Sequence, residues 1–208
     1  MFIDTHCHLT DNYVSGDLGD VIARATAAGV GMIICPSADP SDVIAAVKIA
    51  TTNPNIYATT GIHPEYAGID ASEYLTESIL TNPRVVGIGE IGLDYHERDD
   101  NRTAQIQLFE QQLELARKYG LPVAIHTRDA ENDTAAILRG DIHGVMHCFT
   151  SSWNLAKTML DRGFYFSASG ILTFKNAAEI RETFAKIPID RIVTETDSPY
   201  CAPVPHRG

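Results

Sequence analysis

Short, mostly continuous apolar runs recur along the chain at residues 1–6, 30–35, 56–63, 85–92, 121–126, 145–149, 164–169 and 192–197. Continuous rather than alternating hydrophobicity is the pattern of parallel strands covered on both faces. Between these runs the period changes to that of a helix. Residues 103–119 place Ile106, Phe109, Leu113 and Ala116 on one stripe and stop at Gly120. Asp39-Pro40 reads as an N-cap and first-turn proline ahead of Val43, Ala46, Val47 and Ala50. Further helices are predicted over 18–28, 72–80, 134–138, 154–160 and 177–185, with Gly29, Gly140 and Gly163 following three of them as stops.

Strict alternation of strand and helix argues for a parallel α/β fold. Eight units favour a TIM (β/α)8 barrel, for which about 200 residues is near the lower limit. An open doubly wound sheet is the rival, but no G-x-G-x-x-G turn follows the first strand, and Gly87, Gly89 and Gly92 lie within or at the end of another. No repeat, low-complexity segment or linker interrupts the pattern. We therefore expect one barrel domain over residues 1–208. The chain ends at Pro205-His206-Arg207-Gly208, directly after the eighth strand, so the barrel is expected to lack its closing C-terminal helix.

Composition narrows the function. Of 208 residues, 44% are hydrophobic and 21% charged, an ordinary globular balance. Sixteen Lys and Arg against 27 Asp and Glu give a net charge of −11, which disfavours a broad basic nucleic-acid clamp. Bound metal ions would still supply local positive charge for an anionic substrate. No run of about 18 apolar residues is present, so no membrane span is expected, and the N-terminus lacks the features of a secretory signal. Cys7, Cys35, Cys148 and Cys201 are widely scattered. That suits a reducing cytoplasm better than a disulfide framework.

The histidines carry the chemistry. His6 and His8 end the first strand, and side chains two apart on a strand face the same way, so both can reach one ion. His126, His147 and Asp197 stand at the ends of the fifth, sixth and eighth strands, and Glu90 interrupts the apolar fourth. A carboxylate there needs a cation or hydrogen-bond partners. In a parallel barrel these strand ends converge on the face where active sites form. Four imidazoles and two carboxylates suit a binuclear site with ions about 3.5–4 Å apart. His63, at the end of the third strand, is placed to contact substrate or assist a leaving group. Arg128, Lys175 and Arg207 are candidate phosphate contacts. Asp94 and Glu195 are read as supports for ligands. Cys7 and Cys148, alternating with histidines, should point outward between barrel and helices.

Six motifs together resemble the TatD-type metal-dependent hydrolases: Phe2-Ile3-Asp4-Thr5-His6-Cys7-His8-Leu9, Gly61-Ile62-His63-Pro64, Gly89-Glu90-Ile91-Gly92-Leu93-Asp94-Tyr95, residues 122–130 around His126, His147-Cys148-Phe149 and Glu195-Thr196-Asp197-Ser198-Pro199-Tyr200. They occur in the family's order along the whole chain. The resemblance implies a TIM-barrel hydrolase using two divalent ions, often a deoxyribonuclease. It assigns His6, His8 and Asp197 to one ion and His126 and His147 to the other, with Glu90 bridging. Two departures are Thr150-Ser151-Ser152, whose middle position is usually glycine in the family, and the ending, past which family members continue for several dozen residues.

The expected function is a cytoplasmic phosphodiesterase acting on DNA as a single strand or 3′ end, in the manner of a 3′–5′ exonuclease. Water activated by two Mg, Mn or Zn ions would attack phosphorus. Asp197 would accept the proton, with Glu90 and His63 completing the catalytic set. Two other readings are an amidohydrolase or ester hydrolase on a small carbonyl or aminoacyl substrate, and a metal-binding barrel without catalysis. No obligate protein partner is evident.

Overall fold

The computed structural model describes residues 1–14 and 16–207. Eight parallel strands form one nearly closed barrel in strictly sequential order, β1 (Phe2–Asp4), β2 (Val30–Pro36), β3 (Ile56–Thr59), β4 (Val85–Asp94), β5 (Val123–Arg128), β6 (Gly144–Met146), β7 (Tyr165–Ala168) and β8 (Ile192–Thr194). A doubly wound sheet would reverse its strand order at a switch point. Here every strand neighbours the next, so the chain is a TIM barrel. Among the described residues, seven α-helices pack outside it: α1 (Leu18–Ala27), α2 (Asp42–Thr52), α3 (Glu77–Leu80), α4 (Arg102–Tyr119), α5 (Glu131–Ile137), α6 (Trp153–Asp161) and α7 (Ala178–Phe184). No helix follows β8 among the described residues, and none of the described helices is long and apolar enough to cross a membrane.

Several strands stop earlier than their apolar runs. β1 ends at Asp4, so His6 and His8 lie beyond it, where Cys7 makes an isolated parallel bridge to Ser198. β3 ends at Thr59 instead of reaching His63, because the next segment leaves the ladder and bonds a helix side chain. β6 ends at Met146, and Cys148 turns into the left-handed region with φ of 40°. β8 ends at Thr194, and Asp197 has φ of 55°. Helix 72–80 is broken into a 3₁₀ turn, Ala71–Glu73, and the short α3 begun after Thr76. The Asp39-Pro40 signal marks a turn, not the helix start: Asp39 accepts from Ser41 N at 2.7 Å, and α2 begins at Asp42.

β4 is the longest strand and is buried along nearly all of its length. Its register against β5 shifts between Ile88 and Ile91, a bulge at Glu90 of the kind that re-aims a side chain near functional sites. Glycine is required beside it. Gly92 has φ of 146°, and a Cβ there would lie 1.9 Å from the His126 carbonyl oxygen; a Cβ on Gly89 would meet that of Ala124 at 2.5 Å. These glycines let β4 and β5 approach closely enough to bring Glu90 and His126 together.

Closure between β1 and β8 rests on a buried carboxylate. Asp4 accepts from Thr196 N at 2.9 Å, Thr196 Oγ1 at 2.7 Å and His6 N at 3.3 Å. Backbone bonds from Thr5 N to Thr194 O, Asp197 N to His6 O and His8 N to Ser198 O continue the seam. The same contacts set His6 and His8 beside Asp197. Hydrogen bonds to a charged acceptor contribute about 1.5–3 kcal/mol each. Asp4→Ala should therefore cost about 2–4 kcal/mol, lowering Tm by roughly 5–15 °C for a chain of this size, and Asp4→Asn should cost less. Thermal unfolding followed by circular dichroism measures this; an unchanged Tm for Asp4→Ala would assign closure to the backbone bonds alone.

Candidate metal centre

Glu90 is buried at the centre of the barrel mouth, and imidazoles surround it. His126 Nδ1 lies 3.0 Å and His147 Nε2 3.2 Å from Glu90 Oε1, with His63 Nε2 at 3.8 Å from the same oxygen. His6 Nε2 at 3.4 Å and His8 Nε2 at 3.7 Å face Glu90 Oε2. Burial by itself raises the Glu90 pKa. The charge of His147 and the ring nitrogens of His126, His147 and His6 close to its oxygens outweigh it, holding the carboxyl well below its usual range. Asp197 closes the ring: its Oδ1 lies 3.6 Å from His8 Nε2 and 3.9 Å from Nε2 of both His6 and His147.

Three of these imidazoles have supports of their own. Glu195, the residue two before Asp197, sets Oε1 3.1 Å from His147 Nδ1 and accepts from Cys148 N at 2.7 Å. Burial lowers the His147 pKa, yet the charges of Glu195 and Glu90 raise it well above the ordinary histidine value. Asp94 Oδ2 lies 2.9 Å from His126 Nε2, so His126 stands between two carboxylates and its pKa is raised despite burial. His63 Nδ1 accepts from Glu65 N at 3.2 Å, capping a 3₁₀ turn. That bond fixes the neutral tautomer with its proton on Nε2, facing Glu90. Burial and the charge of His126 push the His63 pKa down to about 4, consistent with that form.

Two buried glutamines on α4 position these segments, and the hydrophobic pattern does not reveal them. Gln112 accepts from Ile62 N at 2.8 Å and donates to Ile62 O at 3.0 Å, clamping the residue before His63. Two turns earlier, Gln105 accepts from Asp94 N and donates to Asp94 O, both at 2.8 Å. Gln112 replaces strand pairing where the chain leaves β3, and Gln105 bonds the backbone of Asp94 at the end of β4, which is still in register with Arg128 of β5.

Whether a metal fits is answered by the atoms left without partners. His6 Nε2 and Asp197 Oδ1 are buried and accept or donate no hydrogen bond. They lie 3.9 Å apart, beside Glu90. Ligand atoms gather in three sets on this face: His6, His8 and Asp197; His6, Glu90 and His147; and His63, Glu90 and His126. An imidazole and carboxylate donor set of this kind suits zinc, manganese or magnesium. The third set brings His63 Nε2 within 3.8 Å of Glu90, just beyond the 3.0–3.7 Å of the four predicted histidine ligands, so it stands at the border between the metal and substrate sides of the cavity.

The sequence pattern of the family described as TatD related DNase matches residues 3–208. The chain belongs to the TatD family. Among its relatives, the uncharacterized metal-dependent hydrolase YcfH of Escherichia coli K12 is 38% identical over 99% of this chain and 80% of its own length. The uncharacterized metal-dependent hydrolase YabD of Bacillus subtilis is 37% identical over 100% and 84%. The crystal structure of YjjV, a TatD homologue from Escherichia coli K12, superposes with a TM-score of 0.86 at 32% identity, covering 100% of this chain and 83% of that one.

In this TatD chain the centre lies under an open cavity of about 700 Å³ whose wall includes Arg98, Arg128, Arg207, Tyr13 and Tyr200. Arg128 is exposed and pairs with Glu97 at 2.9 Å, and Arg207 stacks on Phe174 at 4.1 Å. Lys175 is not on this wall; it borders an adjoining hollow together with Phe174 and Arg207. Arg98, Tyr13 and Tyr200 escaped the sequence analysis because none sits at a strand end. Tyr13 packs over His8 at 4.5 Å between ring centres. Cys7 points outward into the core beside Cys35, as expected. Cys148 does not: its left-handed backbone turns the side chain into the cavity wall.

Gln112→Leu keeps the side-chain bulk but orphans both backbone groups of Ile62 in a buried place. The expected cost is about 2–4 kcal/mol, with a fall in Tm of roughly 5–15 °C and broadening of the His63 ring signals by NMR. Sharp, unshifted His63 signals would show that Gln112 does not position that histidine.

Proposed function

We propose that this TatD family member is a phosphodiesterase that uses two divalent ions, Mg, Mn or Zn, to cleave DNA from a 3′ end. The observation that carries the reading is the pair of unpartnered buried atoms, His6 Nε2 and Asp197 Oδ1, beside Glu90, beneath a cavity walled by three arginines. His6, His8 and Asp197 would hold one ion and His126 and His147 the other, with Glu90 between them. Such ions, when bound, lower the pKa of water and polarise phosphoryl oxygens.

The chain's own residues supply the rest. Asp197 has its pKa lowered, because the nearby His8 ring nitrogen and the charges of His147 and His6 overcome the effect of burial. It is therefore able to receive the proton of the attacking water. His63 presents a fixed Nε2–H to the departing or phosphoryl oxygen. Glu195 and Asp94 keep His147 and His126 oriented, the support that carboxylates commonly give metal-bound imidazoles. Arg98, Arg128 and Arg207 offer guanidinium groups to the flanking phosphates, with Lys175 farther out. Tyr13 and Tyr200 offer aromatic faces on which a terminal base can stack. The guanidinium wall favours this reading over a small amide or ester substrate.

The test is turnover of a 3′-labelled single strand at saturating manganese, beside a panel of esters and amides, with metal content measured in parallel. Asp197→Asn keeps the shape and an oxygen donor but loses basicity, so turnover should fall about 10²-fold or more. Normal turnover at unchanged metal content would remove Asp197 from the role of base. His63→Ala should keep the metals and slow cleavage; loss of both ions would make His63 a ligand. Faster turnover of an amide or ester than of DNA would overturn the phosphodiester assignment.

A further inference from the structure

Beside the histidine centre lies a second donor set of different chemistry. Cys148 follows β6 and Cys201 follows β8, 53 positions apart in sequence, yet their sulfurs are 3.9 Å apart. Cys201 Sγ lies 3.3 Å from Asp197 Oδ2, and Cys148 Sγ lies 3.2 Å from Ser169 Oγ. The donor atoms of Cys148, Asp197 and Cys201 all fall within 4.8 Å of one another. We propose that Cys148, Cys201 and Asp197 form a further metal site, selective for a thiophilic dication such as zinc and joined to the histidine centre through the two oxygens of Asp197.

The spacing supports it. A tetrahedral ion with bonds of about 2.3 Å to sulfur and about 2.0 Å to oxygen holds two sulfurs about 3.8 Å apart and a sulfur and oxygen about 3.5 Å apart. The two sulfurs, and Cys201 with Asp197, already stand near those separations, and Cys148 Sγ lies within 4.8 Å of the Asp197 donor oxygen. A disulfide requires the two sulfurs to close to about 2.05 Å. Asp197 divides its oxygens between the two sets: Oδ1 faces His6, His8 and His147, and Oδ2 faces Cys201. Ser169 Oγ or water is placed to complete four-coordination. Both cysteines are partly exposed on the cavity wall, so an ion has a way in.

A dication compensates the thiolates directly: on binding, the two thiol protons pass to solvent and two sulfur–metal bonds form. Soft sulfur donors also separate this site from the nitrogen and oxygen donors around Glu90. The site does not depend on the phosphodiester reading. Only its effect on that reaction does, because an ion on Oδ2 makes Asp197 a weaker base.

Cobalt(II) titration of the reduced, chelator-stripped full chain tests it. Sulfur ligation gives an intense near-ultraviolet charge-transfer band that nitrogen and oxygen ligands do not. We expect that band in the wild-type protein, its loss in Cys148→Ser, Cys201→Ser and Cys201→Ala, and one fewer equivalent of zinc bound by each variant. His126→Ala damages the histidine centre alone and should leave the band, which separates failure of this site from failure of the proposed function. The assignment is overturned by absence of the band in wild type with both thiols reduced, or by its persistence in Cys201→Ser. A protein isolated two hydrogens lighter, with this pair of thiols missing, would also overturn it in favour of a disulfide.

Discussion

The structure is organised around one buried negative charge. Glu90 interrupts the apolar run 85–92 of a strand packed on both sides, and removing a carboxylate from water costs several kcal/mol even after relaxation. All of its recorded ionic partners are imidazoles: His6, His8, His63, His126 and His147. They come from the ends of β1, β3, β5 and β6, so compensating one charge recruits half the barrel. The bulge at Glu90 and the close approaches at Gly89 and Gly92 are the backbone conditions for that encounter. A metal ion adds to a cluster that the fold has already gathered.

Around this centre the polar groups form successive supports. Asp94 and Glu195 face the outer nitrogens of His126 and His147. Gln105 holds Asp94, and Gln112 holds the residue before His63. Asp4 ties β1 to the segment carrying Asp197. In each case a buried side chain satisfies backbone groups at or beyond a strand end, so closing the barrel and orienting the site use the same hydrogen bonds. Such networks resist change because removing one member leaves its partner buried and unpaired.

The barrel and the gathering of its histidines were legible because both follow from periodicity. Continuous apolar runs separated by helical stripes fix eight parallel strands, and strand ends of a parallel barrel share one face. What was not legible depends on leaving the regular pattern. His6 and His8 share a direction through the Cys7–Ser198 bridge past the end of β1, not through strand alternation within it. Cys148 was expected to face the helices, but alternation ceases at Met146 and a left-handed residue reverses it. Gln105 and Gln112 lie on the buried side of α4 among Leu108, Phe109 and Leu113. A stripe drawn from apolar positions alone, with half-buried Ile106 in it, passes them over. Arg98, Tyr13 and Tyr200 reach the cavity from loops, which carry no period to read.

A net charge of −11 is reconciled with a polyanionic substrate once the distances are compared. Surface charges act over a Debye length of about 8 Å at physiological ionic strength, so the acidic exterior is largely screened from the mouth. Within the cavity Arg98, Arg128 and Arg207 share the wall with Glu65 and Glu97, so a local positive balance comes from the ions that the histidine centre would hold. Three guanidinium groups around one opening reach few phosphates, whereas a clamp along a duplex reaches many. Binding to single strands weakens with salt by about 0.7 in log K per log salt for each phosphate neutralised. Under the proposed reading, affinity therefore depends on salt only shallowly and the preferred substrate is an end that can enter the mouth. The acidic surface then serves selectivity, since the interior of a long duplex meets repulsion where a free terminus meets the arginines.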